Sequence, residues 1–464
     1  MKKALNTIVL TFFFFSAFAQ NLTEEIDPIQ KFIEATVQIP FQAKLANIQG
    51  VVAVRITMGY DNLPEKYEIT QNLNEECDQE ALRVVRLINP KYLNDRLAAK
   101  KDVVLEVPFF NPHLLHFNKG YLVEYFDKDK KSYEGQEPTY MRRYLVDTLS
   151  GMINSSIEYF TFQNKELKLL ETVNLKMDSW KHEPKTEMLE NASDSTKIFF
   201  RTARSNNDFP FFAQGFYENG RESSRSFNGE SCTYYPSGSV ATISKKIKEG
   251  KENITKSIEW FANGLMASII FNTRNETGSI DRYFAVWDSQ GKQIVKNGGG
   301  NFEYCERKNG EVIFYSGLVK EGLKEEEWKG KSASGEVLFE ETYQEGKFMK
   351  GISFDNGQKF VYDKQEVPAE FIGGMRSLSK HLQKNLTYPI IAQRANAQGR
   401  VYVQCNVDTD GTVSDLTVLK GVGFGCDEEA VRVIQLTSGQ WKPGQRRGKI
   451  VKTRFTLPIS FTMN

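Results

Sequence analysis

Few residues in this sequence have the types and spacing that catalysis or metal binding needs. The chain holds four histidines, His113, His116, His182 and His381. His113-Leu-Leu-His116 sets two imidazoles at helical spacing, which could offer half of a metal site. No Glu follows His113 and Pro112 opens the segment, so two loop histidines are the simpler reading. No nucleophile elbow, phosphate loop, HExxH helix or dinucleotide fingerprint appears. Gly298-Gly299-Gly300 lacks the following Lys-Ser/Thr and helix of a phosphate cradle and reads as a turn. Arg446-Arg447-Gly448-Lys449 and Lys324-Glu325-Glu326-Glu327 read as solvated turns. No catalytic residue, metal, cofactor or small-molecule substrate is indicated, and the chain reads as non-enzymatic.

What remains is the chemistry of the backbone. Near the C-terminus a strand over 451–461 alternates, with Val451, Phe455, Leu457, Ile459 and Phe461 inward and Lys452, Arg454, Thr456 and Ser460 outward. Pro458 falls on the outward phase. Proline has no N–H to give to a ladder, so this strand is expected at a sheet edge. An edge strand is either protected or used to pair with another chain.

The elements that would position this strand are written twice. Residues 40–87 align without a gap on 389–436, with sixteen identities in 48 positions, where average residue usage gives roughly three by chance. Two copies at the two ends, with unlike material between, indicate a duplicated module rather than a solenoid. In the second copy Val401, Val403, Cys405 and Val407 alternate with polar residues from Gly399 onward. Asp408-Thr-Asp-Gly411 is a hairpin turn and Val413 to Lys420 the returning strand. Cys426, Ala430, Val433 and Ile434 then share a helical face, with Asp427 as the expected N-cap and Gly439 as the stop. The first copy carries Pro108 in the same strand phase as Pro458. Its Val52, Val54 and Ile56 are expected inside, with a helix over 78–88.

The five cysteines, Cys77, Cys232, Cys305, Cys405 and Cys426, are odd in number and include no CxxC, so no disulfide framework is indicated. Cys405 and Cys426 share a module and could pair. Cys405 stands where the first copy has Ile56, which favours a buried free thiol.

At 464 residues the chain can hold two to four domains. Lys and Arg total 60 against 59 Asp and Glu, a balance that argues against a nucleic-acid partner. Lys2 and Lys3, an apolar run from Ala4 to Phe18 and Ala17-Phe-Ala19 read as a secretory signal cleaved before Gln20, hence a periplasmic protein. An uncleaved membrane anchor is the rival expectation; the run is shorter than the ~20 residues of a spanning helix. Between the modules, aromatic residues precede Asn/Ser/Gln-Gly, as in Phe216-Tyr-Glu-Asn-Gly220, Tyr234-Tyr-Pro-Ser-Gly238 and Trp260-Phe-Ala-Asn-Gly264. These spacings predict stacked β-hairpins with glycine turns.

The run Tyr388-Pro-Ile-Ile-Ala392, Gln398-Gly-Arg-Val-Tyr-Val403, Asp410-Gly-Thr-Val-Ser414, Asp427-Glu-Glu-Ala-Val431, Trp441-Lys-Pro-Gly444 and Phe455-Thr-Leu-Pro-Ile459 resembles a TonB C-terminal domain. It is similar in particular to the Bacteroidetes version, opened here by Ala369-Glu-Phe-Ile-Gly-Gly374. The resemblance implies a two-helix, three-stranded α+β domain. It further implies that the edge strand pairs with a short peptide of a protein partner, a TonB-dependent outer-membrane receptor in the family. Partner-binding residues would then be Lys452, Arg454 and Thr456 on the strand, with Tyr388 and Pro389 as a further contact. The first copy is a degenerate version, with Ile39-Pro40 for Tyr-Pro and Ile88-Asn-Pro-Lys91 for Trp-Lys-Pro-Gly. The middle resembles the MORN-like repeats of the YwqK antitoxin type. The expected fold is therefore α+β: a signal peptide over 1–19, TonB-C-like domains over 20–112 and 366–464, and an antiparallel β-hairpin repeat region over 113–365.

Overall fold

A computed structural model describes residues 27–462 apart from short internal stretches, the longest being 183–195. The expected signal segment and His113 lie outside the described residues. Strands far outnumber helices, as an α+β or β-rich chain requires. The chain divides into two compact units, one running to Val312 with Val319–Leu323, the other comprising Ile313–Leu318 and Lys324–Asn464.

The first unit opens with helices α1 (Pro28–Thr36) and α2 (Phe41–Leu45), strands β1 (Gly50–Met58) and β2 (Pro64–Gln71), helices α3 (Glu75–Arg86) and α4 (Pro90–Leu97), and strand β3 (Asp102–Phe109). Asp27 caps α1 by accepting from the Ile29 and Gln30 amides, and Asn74 caps α3 by accepting from Cys77. The sheet order is β2-β1-β3, all antiparallel. Val52, Val54 and Ile56 are fully buried beneath the Cys77, Ala81 and Val84 face of α3.

That core does not close on itself. It continues into Tyr234, Val240, Ile258, Trp260, Met266 and Phe271 of a long antiparallel sheet whose strands, from Lys176–His182 to Gly299–Lys308, lie in sequence order. The predicted glycine turns join these strands. In each of Tyr217–Arg221, Tyr235–Ser239 and Phe261–Leu265 the first residue exchanges backbone bonds with the fourth and fifth. The glycine fourth in line has φ near +80°. This is a three-residue hairpin loop with a glycine bulge, for which only glycine is unstrained. The aromatic and the Asn of the motif also tie one hairpin to the next. The Tyr217 hydroxyl donates to the Tyr234 carbonyl at 2.6 Å and Tyr235 to Trp260 at 2.8 Å. Asn219 donates to Pro236 and Asn263 to Ser289, both at 3.2 Å.

The N-terminal helices stand on this row of turns. Arg83 donates to the Gly238 carbonyl at 3.2 Å, Asn89 to Asn263 at 3.0 Å and Lys91 to Gln290 at 2.5 Å. The Tyr92 hydroxyl accepts from the Met266 amide at 2.7 Å. The residues that depart from the repeat pattern, Ile88 to Lys91, thus hold the hairpins. A separate five-stranded antiparallel sheet over His116–Val173 packs around Tyr159 and Phe209.

In the second unit, strands Val337–Gln344, Lys347–Asp355 and Gln358–Tyr362 continue the hairpin pattern. Lys324–Glu327 is part of strand Leu323–Ser332 and not the turn expected from its charges; the apolar signal sits beyond it, in Trp328. Glycines inside these strands make room for neighbouring rings. A Cβ on Gly330 would lie 2.1 Å from the Phe339 ring, one on Gly351 2.3 Å from Tyr362.

The C-terminal module follows as α5 (Gly374–Asn385), α6 (Ile390–Arg394), β4 (Gly399–Val407), β5 (Val413–Lys420), α7 (Cys426–Gln435) and β6 (Thr453–Phe461), with sheet order β5-β4-β6. Three helices, one of them short, stand where two were expected. Asp427 is not the N-cap. Gly425 occupies that place with φ +86°, and the Asp427 carboxylate instead accepts from the Val422 and Gly423 amides. None of the five cysteines forms a disulfide, and Cys405 and Cys426 are buried without a bond between them.

Arg447 corrects the reading of 446–449 as a solvated turn. It does sit in a tight turn, with Arg447 at φ +49° and Gly448 at +74°. Its guanidinium is largely buried, lies 3.5 Å from the centre of the Phe339 ring and donates to the buried Glu341 at 2.8 Å. Glu341 also accepts from Tyr343 and Tyr362 at 2.8 Å and from Gln365 at 2.9 Å. A buried charge needs such partners.

Candidate functional site

Strand β6 is formed because Leu457, Ile459 and Phe461 drop into the core beside Val401, Val403 and Cys405. It pairs with β4 from Gly399↔Phe461 to Val407↔Thr453 without a register shift. On its other side no strand of the described residues pairs with it. Pro458 lies opposite Tyr402 in that unbroken ladder, so its nitrogen faces the open side. Residues two and four earlier share the phase. The N–H and C=O groups of Thr456 and Arg454 therefore also face outward, and their side chains are exposed.

The five sequence-predicted residues do not converge. Lys452 lies in a break before β6, where its ammonium bridges Asp408 at 3.0 Å and Asp415 at 2.8 Å. Hydrogen bonds donated to Asp415 and Asp408 hold the Lys452 pKa above its usual value, and the bond from Lys452 draws that of Asp415 down. Lys452 thus anchors the β4–β5 hairpin. Tyr388 is at the far end of the strand, roughly 26 Å away at the usual rise per residue. Its hydroxyl donates to the Ala397 carbonyl at 2.7 Å and its ring meets Phe461 edge-on at 5.6 Å. Pro389 begins α6 with φ −63°. Arg454 and Thr456 alone form a contiguous patch on the open edge.

A clamp that the sequence reading passed over organises the helices behind the sheet. Arg432 donates to Glu429 through Nε and Nη2, both at 2.7 Å, and through Nη2 to the Asn385 carbonyl at 2.6 Å. Glu429 accepts in turn from the Thr387 amide. Burial pushes the Glu429 pKa up less than the Arg432 hydrogen bond pulls it down, and the net direction is lower. Glu80 and Arg83 do the same in the first module, with Gln38 and Thr36 as backbone partners. The signal was available: Glu and Arg are identical at both places in the repeat.

Residues 384–463 match the family model for the Gram-negative bacterial TonB protein C-terminal region. The C-terminal module is a TonB C-terminal domain. The match takes in α6, the whole β5-β4-β6 sheet and α7, and thus the open edge and its flanking residues. No curated protein and no solved structure matches the chain. A TonB C-terminal domain implies a place in the Gram-negative envelope and a protein partner in general terms.

Proposed function

We propose that this chain is an exported, periplasmic, non-enzymatic interaction protein that binds a peptide by strand addition along β6. The observation that supports this is the unpaired outer rim of β6 at Arg454 and Thr456, inside a TonB C-terminal domain. An incoming strand would take backbone bonds there for affinity, with the exposed side chains selecting sequence. The segment of a TonB-dependent outer-membrane receptor that faces the periplasm is the proposed partner, which links the chain to transport across that membrane. On this reading the first module is a TonB-C-like domain that gave up partner binding to grip the MORN-like hairpins, which serve as a spacer.

The test is a binding titration of the chain from Gln20 with such a receptor peptide. Arg454→Ala is expected to weaken binding only modestly, since the backbone bonds persist. Arg454→Pro deletes an outward N–H without touching the β4–β6 ladder and should cost at least tenfold. Equal affinity of wild type and folded Arg454→Pro would remove β6 as the site.

A further inference from the structure

The helical face that seats the N-terminal module on the hairpin turns is built again in the TonB C-terminal domain. Arg83 uses Nε and Nη2 for Glu80 and Thr36, and Nη1 for the Gly238 carbonyl. Arg432 repeats the first two sets of bonds, but its Nη1 has no partner among the described residues. Its side chain is 47% exposed against 22% for Arg83. Leu87, whose carbonyl lies 2.9 Å from a Cβ placed on Gly264, is half-buried. Its counterpart Leu436 is 44% exposed. Phe32, which packs on the same glycine, is replaced by His381, whose Nε2 is buried without a partner.

We infer that this face, centred on Arg432 and Leu436, receives the hairpin turn Ser332–Glu336 of a second copy of the chain. The first module shows what such a face fits, namely three-residue glycine hairpins of this chain's own type, Arg83 meeting the Gly238 turn and Leu87 and Phe32 the Gly264 turn. Ser332–Glu336 has the same bonds as the Tyr235–Ser239 turn held by Arg83: Ser332 N–H to Glu336 O at 2.8 Å and Gly335 N–H to Ser332 O at 3.0 Å. Gly335 has φ +86° against +85° for Gly238. A Cβ on Gly335 would meet nothing within 4 Å, whereas one on Gly238 meets Arg83 at 2.8 Å. Gly220 is equally open, but Arg221 follows it and would repel Arg432. Asn356–Gly357 is a tighter two-residue turn. Glu336, exposed beside Gly335, brings the complementary charge. The Gly335 carbonyl takes the place of the Gly238 carbonyl at Nη1, and Leu436 closes over the turn.

Sedimentation equilibrium of the chain from Gln20, up to about 100 μM, tests the assignment. Mass should rise above that of the monomer with concentration. Leu436→Glu and Glu336→Arg, both at exposed positions, should each weaken association at least tenfold, with circular dichroism unchanged. Arg454→Pro should leave it unaltered. A mixture of Leu436→Cys and Ser334→Cys chains should form a mixed disulfide on oxidation, and neither variant alone should. A monomer at all concentrations, an association that ignores both charge variants, or one abolished by Arg454→Pro instead would overturn the proposal.

Discussion

In the second unit Glu341 joins the hairpin strands to the turn of Arg447. Burial pushes its carboxyl pKa up, but the Arg447 charge and the hydrogen bonds from Arg447, Gln365 and Tyr343 outweigh that, and the pKa lies below 4.5. A depressed folded value means that its contribution is present above about pH 4.5 and is lost as pH falls through the folded value. Glu341→Gln would leave a buried guanidinium without its counter-charge, at a cost of about 3–5 kcal/mol. Thermal melts of wild type and Glu341→Gln should therefore differ most at neutral pH and converge in acid. Burial also pushes the Cys405 thiol up to about 11 and raises that of Cys426. At pH 8 a thiol reagent should label either one only as fast as the module unfolds. Tyr388→Phe removes the bond to Ala397 and should cost about 1 kcal/mol of stability while leaving peptide affinity unchanged.

At the scale of the element, the glycine turns separate local geometry from docking. Gly220 and Gly264 have nearly the same φ, +78° and +82°. A methyl on Gly220 meets nothing, while one on Gly264 meets the Leu87 carbonyl and the Phe32 ring. Gly220→Ala should cost about 1 kcal/mol of backbone strain and Gly264→Ala clearly more. Chemical denaturation of the two variants measures the difference. These turns could be read from the sequence because the Gly that each needs at positive φ stands in a short local motif, three residues after an aromatic. The same holds for β4 and β5, whose predicted bounds the structure keeps, because strict alternation over nine residues leaves one pairing face. Lys324–Glu327 misled because its charges lie along a strand whose inward residue, Trp328, comes after them. Arg447 misled for another reason. Its partner Glu341 is 106 residues away, and nothing near 447 in the chain announces a buried carboxylate. The candidate edge was legible through Pro458, but Lys452 and Tyr388 were assigned by position in a motif, which carries no information on bonds already made.

For the molecule as a whole, the bonds from Arg447, Ser353 and Lys449 make the TonB C-terminal domain and its preceding strands one folding unit. A fragment over 366–464 should melt well below one over 313–464, by calorimetry, because it exposes the Arg447 turn. The other whole-chain question is the start of the mature protein. Sequencing of the exported form is expected to begin at Gln20; retention of Met1 would favour a membrane-anchored transducer instead. Pro458 also bears on the behaviour of the protein at the high local concentrations of a crowded compartment. An open strand edge ordinarily invites a second edge, then a third, and ends in a fibre. Here the rim offers two consecutive outward N–H groups, at Arg454 and Thr456, and then a gap. A short peptide can use two rungs and stop, whereas a copied sheet needs an unbroken row to grow. On the proposed strand addition, the missing hydrogen on one ring nitrogen would separate recognition from aggregation.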